Sequence, residues 1–209
     1  MLGSLNISDV LILIGVILVS LTIHEMTHAF VGHALGDNTA HDEGRLTLNP
    51  LAHIDPFMTV LLPIITIVAF GTPILAAKPV PFDPRQVKWD EYGAALIALA
   101  GPVSNLLLAC IGVILANFVV ESPTLSNILY VFSAVNVSLF VFNLVPIPPL
   151  DGSRVLYAFA PDPLRRIMEQ LEGIGLFIVF GLILIGGSAL LGNIIQTVFE
   201  HLPFNPFFG

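Results

Sequence analysis

Charge is what this sequence lacks most. Only 11% of its 209 residues are Asp, Glu, Lys or Arg, less than half of the roughly 25% typical of a soluble domain. Apolar side chains make up 56%. A surface built from such a chain would not stay dissolved, so lipid must solvate much of it. Seven Lys and Arg face fifteen acids, a formal net charge of −8. With no basic stripe to neutralise phosphates, nucleic acid is excluded as a partner. The single cysteine, Cys110, lies in an apolar stretch, which excludes an intrachain disulfide and leaves the redox compartment open. No Lys or Arg precedes Arg45. The first apolar run therefore lacks the positive start of a secretory signal, is too long for its apolar core, and reads as a mature spanning helix. Internal repeats and low-complexity tails are absent. The length fits one polytopic membrane domain over residues 1–209, without a sizeable soluble module.

What is present is a series of long apolar runs. A bilayer core takes about 20 predominantly apolar residues per helix, and residues 10–35, 92–120, 125–145 and 174–199 meet that length. A fifth run, 56–77, is interrupted by Pro63 and by Gly71-Thr72-Pro73. Proline removes a backbone donor and kinks a helix, so this run reads as re-entrant. Before it, Arg45, Thr47 and Asn49 alternate with Leu46 and Leu48, the period of a strand ended by Pro50. Residues 78–90, with prolines at 79, 81 and 84, form a polar connector, and a short amphipathic piece covers 153–159. The expected fold is an all-α integral membrane protein. It has about four transmembrane helices, a re-entrant segment and a short membrane-associated strand or β-hairpin.

Two ionisable positions need a reason. Glu25 lies well inside the first apolar run, flanked by His24 and His28. An acid at mid-helix costs at least about 2.5–3.5 kcal/mol on insertion scales and marks a functional site by default. His24-Glu25-Met26-Thr27-His28 matches H-E-x-x-H. On a helix, positions i and i+4 share a face, so both imidazoles can reach one Zn²⁺ with Glu25 beside the attacking water as general base. Asp151 is the second position. It follows Asn143-Leu144-Val145-Pro146-Ile147-Pro148-Pro149-Leu150, where three prolines in four residues cannot continue a helix. Irregular backbone near membrane depth is tolerated only where protein buries it or where it lines a wet cavity. A catalytic zinc site wants three protein ligands, and the third could come from His33, His41, His53, His201 or an acid. Asp151 is chosen because it leaves the unwound segment, and because Zn²⁺, Asp151 and ionised Glu25 sum to zero charge. Its competing role is the N-cap of the following short helix.

These motifs together resemble the site-2 protease family of intramembrane zinc proteases. The resemblance is carried by His24-Glu25-x-x-His28, by Ala100-Gly101-Pro102-Val103-Ser104-Asn105, and by Asn143-x-x-Pro146-x-Pro148-Pro149-Leu150-Asp151-Gly152. They stand in the family's order and span most of the chain. The resemblance implies one zinc ion held by His24, His28 and Asp151, with Glu25 as catalytic base. It also implies that Asn143 holds substrate or the developing oxyanion. The chain lacks the PDZ or CBS domains of some relatives and looks like a minimal form.

Topology offers a separate check. If 56–77 crossed the membrane once, the C-terminal ends of the 10–35 and 125–145 spans would lie on opposite faces, and His28 and Asp151 could hardly share a metal. If it dips and returns, both ends face one side, and Arg45, Lys78, Arg85, Lys88, Arg154, Arg165 and Arg166 all lie there. That asymmetry makes the site-bearing face cytoplasmic, in a multi-pass protein expected in the cell membrane with both termini outside. The strand at 45–49 would pair with an extended transmembrane substrate, edge to edge; a plain surface hairpin is its alternative. Asn105 would bond across helices, Gly32 and Gly36 would serve packing or a helix end, and His53 would be a supporting or a purely structural histidine. The phenylalanine-rich stretch 203–208 reads as an interfacial anchor. Two rival functions use similar ligands. One is a membrane zinc hydrolase acting on lipid amides, and the other a non-enzymatic metal transporter, which would string ionisable residues through several spans.

Overall fold

The computed structural model describes residues 6–54, 80–119, 121–182, 185 and 187–206. The first helix, α1 (Ile7–Ala34), opens with a capping box in which the Asn6 side chain accepts from the Asp9 N–H at 2.9 Å and Asp9 answers at 3.3 Å. Two orphan donors of the first turn are thereby satisfied. It ends at Leu35 and Gly36, whose φ of +102° suits glycine alone. A single turn, α2 (Thr39–Asp42), and a 3-10 turn at Pro50–Ala52 follow. The long helices α3 (Asp90–Ala116) and α4 (Pro123–Asn143) form an antiparallel hairpin, and α1 packs against both. Three short helices come next: α5 (Asp151–Phe159), α6 (Asp162–Glu172) and α7 (Gly175–Leu182). The last is α8 (Ser188–Glu200). Among the described residues the protein is all helical, with no strand.

Among the described residues three helices, α1, α3 and α4, are long and apolar enough to cross a membrane. In α3 half of the most apolar window is buried, against 22% in α1 and α4. The central helix is therefore α3. Exposed side chains on α1 such as Leu11, Ile14, Val19 and Phe30 remain apolar, as expected of a helix facing lipid. The helices meet through small residues. A Cβ on Gly112 of α3 would collide with the Ser133 hydroxyl of α4, and a Cβ on Gly32 would sit 3.7 Å from Ile97. Apolar attraction between helices is weak in lipid, so close backbone approach must supply the packing.

The direction of each segment can be read from its ends. The Lys88 N–H donates to the Leu35 carbonyl at 2.9 Å, and the buried Asp37 carboxylate accepts from the Asp83 N–H at 3.0 Å. The chain leaving α1 therefore returns to the same end of the bundle to start α3. In between, Leu48 and Pro50 border a groove with Leu18, Val19, Thr22 and Ile23. Those residues lie roughly 18–25 Å back along α1 from Leu35 at a rise of 1.5 Å per residue. At the far end of the chain, Gly175 abuts the Pro148 carbonyl while the Asn117 side chain, past the end of α3, donates to the Phe204 carbonyl at 2.8 Å. Residues 175–204 thus run from the Pro148 end of the bundle to the opposite one.

One expectation changes. Residues 45–49 form bends rather than a strand. The Thr47 N–H bonds the Arg45 carbonyl at 2.9 Å, the Asn49 N–H bonds Thr47 Oγ1 at 3.1 Å, and Asn49 accepts from the Leu51 N–H at 3.1 Å. Short polar side chains give the backbone local partners, and these compete with extended pairing. Within residues 174–199 the described residues form α7 and α8, and the stretch between them is only partly described. The re-entrant reading of 56–77 falls on residues outside those described. Helix α6 was not anticipated, although Pro163 near its start and Leu164, Ile167, Met168 and Leu171 carry a helical pattern.

Candidate metal centre

On α1, His24, Glu25 and His28 are all buried. The four-residue spacing stacks the two imidazoles on one face, with Nε2 atoms 3.0 Å apart. The proline segment then brings in Asp151 as the first residue of α5, its Oδ2 lying 3.2 Å from His24 Nε2 and 3.4 Å from His28 Nε2. Leu150, not Asp151, is the N-cap, and no side-chain cap bond is made. The capping role weighed for Asp151 is therefore not the one it plays. Its Oδ2 is buried without a hydrogen-bond partner.

The outer nitrogens decide what faces inward. His28 Nδ1 lies 2.6 Å from the Ile97 carbonyl, which can only accept, so Nδ1 carries the proton. Pro102, inside α3 close by, has no N–H to give the Ala98 carbonyl. His24 Nδ1 lies 2.6 Å from Asn105 Oδ1. In their neutral forms both imidazoles thus turn an Nε2 lone pair towards the Asp151 carboxylate. Three acceptors pointing at one another repel unless a cation sits among them. Their ligand atoms lie within 4.8 Å of one another, and two imidazoles with one carboxylate form a donor set that suits Zn²⁺. The residues fit the ion. Gly101 is part of that fit, since a Cβ there would strike His28 Nε2 and come within 2.6 Å of His24 Cε1.

The other candidates fall elsewhere. His33 and His41 stack on each other at the exposed end of α1, with ring centroids 5.1 Å apart. His53 is buried, with Nε2 2.9 Å from the Thr47 carbonyl, and it closes its own loop. His201 bonds the Thr197 carbonyl on α8 at 2.8 Å. Asn143 ends α4, and its Nδ2 donates to the Leu139 carbonyl at 3.0 Å. Two residues of the centre escaped the sequence reading, Asn136 and Ser20. Both are fully buried; Asn136 accepts from Asn105 and donates to Ser20. Each is a polar side chain within an apolar run, which is the signal that could have found them.

This geometry agrees with the comparisons. Residues 117–186 match the model of Peptidase family M50. A Bacillus subtilis protein named "Putative zinc metalloprotease YwhC" is 41% identical over 177 residues, which cover 80% of this chain and 77% of the relative. The chain belongs to peptidase family M50, the site-2 protease family. Further members are similar at 30% identity. Over 170 residues this holds for a Mycolicibacterium smegmatis protein, covering 80% of this chain and 64% of that one. Over 188 residues it holds for a Mycobacterium tuberculosis protein, covering 87% and 69%. Both carry the name "Putative zinc metalloprotease Rip2". No solved structure matches the chain.

Proposed function

We propose that this member of the family cuts peptide bonds of transmembrane proteins inside the bilayer, with one zinc ion held by His24, His28 and Asp151. The enzyme is a zinc metalloprotease, as its family and relatives indicate, and it is a membrane protein. The observation that carries the reading is the convergence of two inward Nε2 lone pairs on a carboxylate oxygen that has no other partner. Bound zinc supplies a Lewis acid that polarises a carbonyl and acidifies water. The protein's own groups do the rest. Glu25, buried beside His24, takes the proton of the attacking water and hands it to the leaving amine. Asn143 spends one amide hydrogen on Leu139, and its second serves the oxyanion.

Support for the membrane arrangement comes from the chain ends. Residues 36–87 begin and finish at one end of the bundle, which fits a re-entrant excursion. Helices α7 and α8, read end to end, make the fourth crossing after α1, α3 and α4. Beside the proline segment a cavity of about 480 Å³ is lined by Pro148, Ser153, Arg154, Tyr157 and Glu169 among others; its charged side chains support water approaching the site from this end. Its end of the protein also carries Arg85, Lys88, Arg154 and Arg165, so the positive-inside rule makes it cytoplasmic in a cell membrane. The groove between Leu48 and α1 is where an extended substrate lies, held by backbone groups of 45–49 without a strand having formed beforehand.

The test uses a detergent-solubilised membrane peptide and three forms of the enzyme. Wild type is expected to cleave it. Glu25→Gln should keep its zinc and lose cleavage by a factor of about 10² or more, whereas Asp151→Ala should lose zinc itself. Cleavage by Glu25→Gln at the wild-type rate would remove Glu25 from the mechanism, and turnover of a lipid amide instead of peptide would establish the rival hydrolase.

A further inference from the structure

We infer that Asn136 of α4 is a positioning residue that sets which nitrogen His24 offers to the metal; the inference rests on the metal-centre reading above. Three buried polar links join His24 to a backbone carbonyl. His24 Nδ1 lies 2.6 Å from Asn105 Oδ1, Asn105 Nδ2 donates to Asn136 Oδ1 at 2.9 Å, and Asn136 Nδ2 donates to the Phe132 carbonyl and to Ser20 Oγ, each at 2.8 Å. Asn105, Asn136 and Ser20 are completely inaccessible to solvent, so none of these groups can exchange its partner for water.

The direction of this chain follows from its last member. The Phe132 carbonyl can only accept, which forces Asn136 to turn its amide nitrogen that way and its oxygen towards Asn105. Asn105 must then donate to Asn136 and present its own oxygen to His24. An oxygen there requires the proton on Nδ1 and leaves Nε2 bare for a metal. Were Asn105 turned over, its NH₂ would face Nδ1, the proton would move to Nε2, and His24 could no longer act as a ligand through that atom. His28 is keyed directly, by the Ile97 carbonyl. His24 is keyed at a distance, by the Phe132 carbonyl acting through two amides. Each histidine is thereby set by a different helix, α3 for His28 and α4 for His24.

The test uses the full chain in detergent, stripped of metal. Zinc affinity is measured by competition with a chelator, and the His24 tautomer by ¹⁵N NMR, with the His24 signals identified by their loss in His24→Gln. Asn136→Leu removes the acceptor that orients Asn105. It should give a mixture of His24 tautomers and zinc binding weakened about 10-fold, the lower end for an outer partner of a ligand. Asn136→Asp keeps that acceptor and should stay within roughly 3-fold of wild type, with the Nδ1–H tautomer intact. Adding Asn105→Asp to Asn136→Leu should restore the Nδ1–H tautomer, because a carboxylate offers oxygen whichever way it turns. A role in packing alone predicts the reverse order, since both rescuing changes bury an acid. Unchanged tautomer and affinity in Asn136→Leu, or equal damage from Leu and Asp, would overturn the inference. Should Asn136→Leu fail to fold, the smaller change Asn136→Ala, which also removes the acceptor facing Asn105, decides by the same two readouts, and an unchanged tautomer and affinity would again overturn the inference. If His24→Gln binds zinc like wild type, the metal-centre reading itself fails. If it loses zinc while Asn136→Leu does not, only the relay fails.

Discussion

A hydrogen atom in place of a side chain lets the two histidines approach α3. A Cβ on Gly101 would strike His28 Nε2 and stand 2.6 Å from His24 Cε1, and neither imidazole can yield without leaving Ile97 or Asn105. Gly101→Ala should therefore weaken zinc binding by about 10- to 100-fold, the range seen when the support of a metal ligand is disturbed. Chelator competition would measure it, and an unchanged affinity would show that the rings have room the structure does not give them. The identity of the residue matters more here than its helix propensity. Alanine is the better helix former by about 1 kcal/mol, yet it is the damaging choice.

The short helix α5 is held by similar contacts. Its first residue is Asp151, and the next, Gly152, packs on the backbone of the unwound segment. A Cβ there would collide with the Leu144 carbonyl and lie 2.8 Å from the Val145 oxygen. Gly152→Ala should push the start of α5 away from α4 and carry Asp151 with it. The expected cost is about 1–3 kcal/mol, as for overpacking elsewhere, read as a lower thermal midpoint together with weaker zinc binding. Gly173, at the end of α6, is a fair control. A Cβ there meets nothing within 4 Å, and Gly173→Ala should stay within about 0.5 kcal/mol of wild type. Equal effects from the two would mean that the proline segment is not a tight seat for α5.

At the scale of the molecule, the ends of the helices determine sidedness. Asp42 and Arg85 are exposed at the end where α1 stops and α3 starts, whereas Glu121 lies in the turn between α3 and α4. In a Cys110→Ser background, Asp42→Cys and Arg85→Cys should react with an impermeant thiol reagent from the cytoplasmic side, and Glu121→Cys from the other. Labelling of Asp42→Cys and Arg85→Cys from different sides would contradict the bond between Lys88 and Leu35 that closes the excursion. The same arrangement puts the metal centre towards the end of the bundle where α1 stops and α3 starts. Its ligands hang from the half of α1 nearest that end and from the segment that follows α4.

Much of this was legible in the amino-acid order because lipid is an undemanding solvent for pattern reading. Length and hydropathy alone mark α1, α3 and α4 to within a few residues, since a crossing helix must be apolar all round. The pairing of His24 with His28 is equally local, being a property of helical pitch. What lies between distant residues could not be read that way. Asp151 was one acid among several until the fold set it against two imidazoles, and its capping role ended only when Leu150 took that place. Residues 45–49 alternate like a strand, but Thr47 and Asn49 bonded their own backbone instead. The tautomer of His24 depends on Asn136, which stands 112 residues away in the chain. Sequence determines which segments enter the bilayer. Only packing decides which buried polar groups must satisfy one another once water is gone.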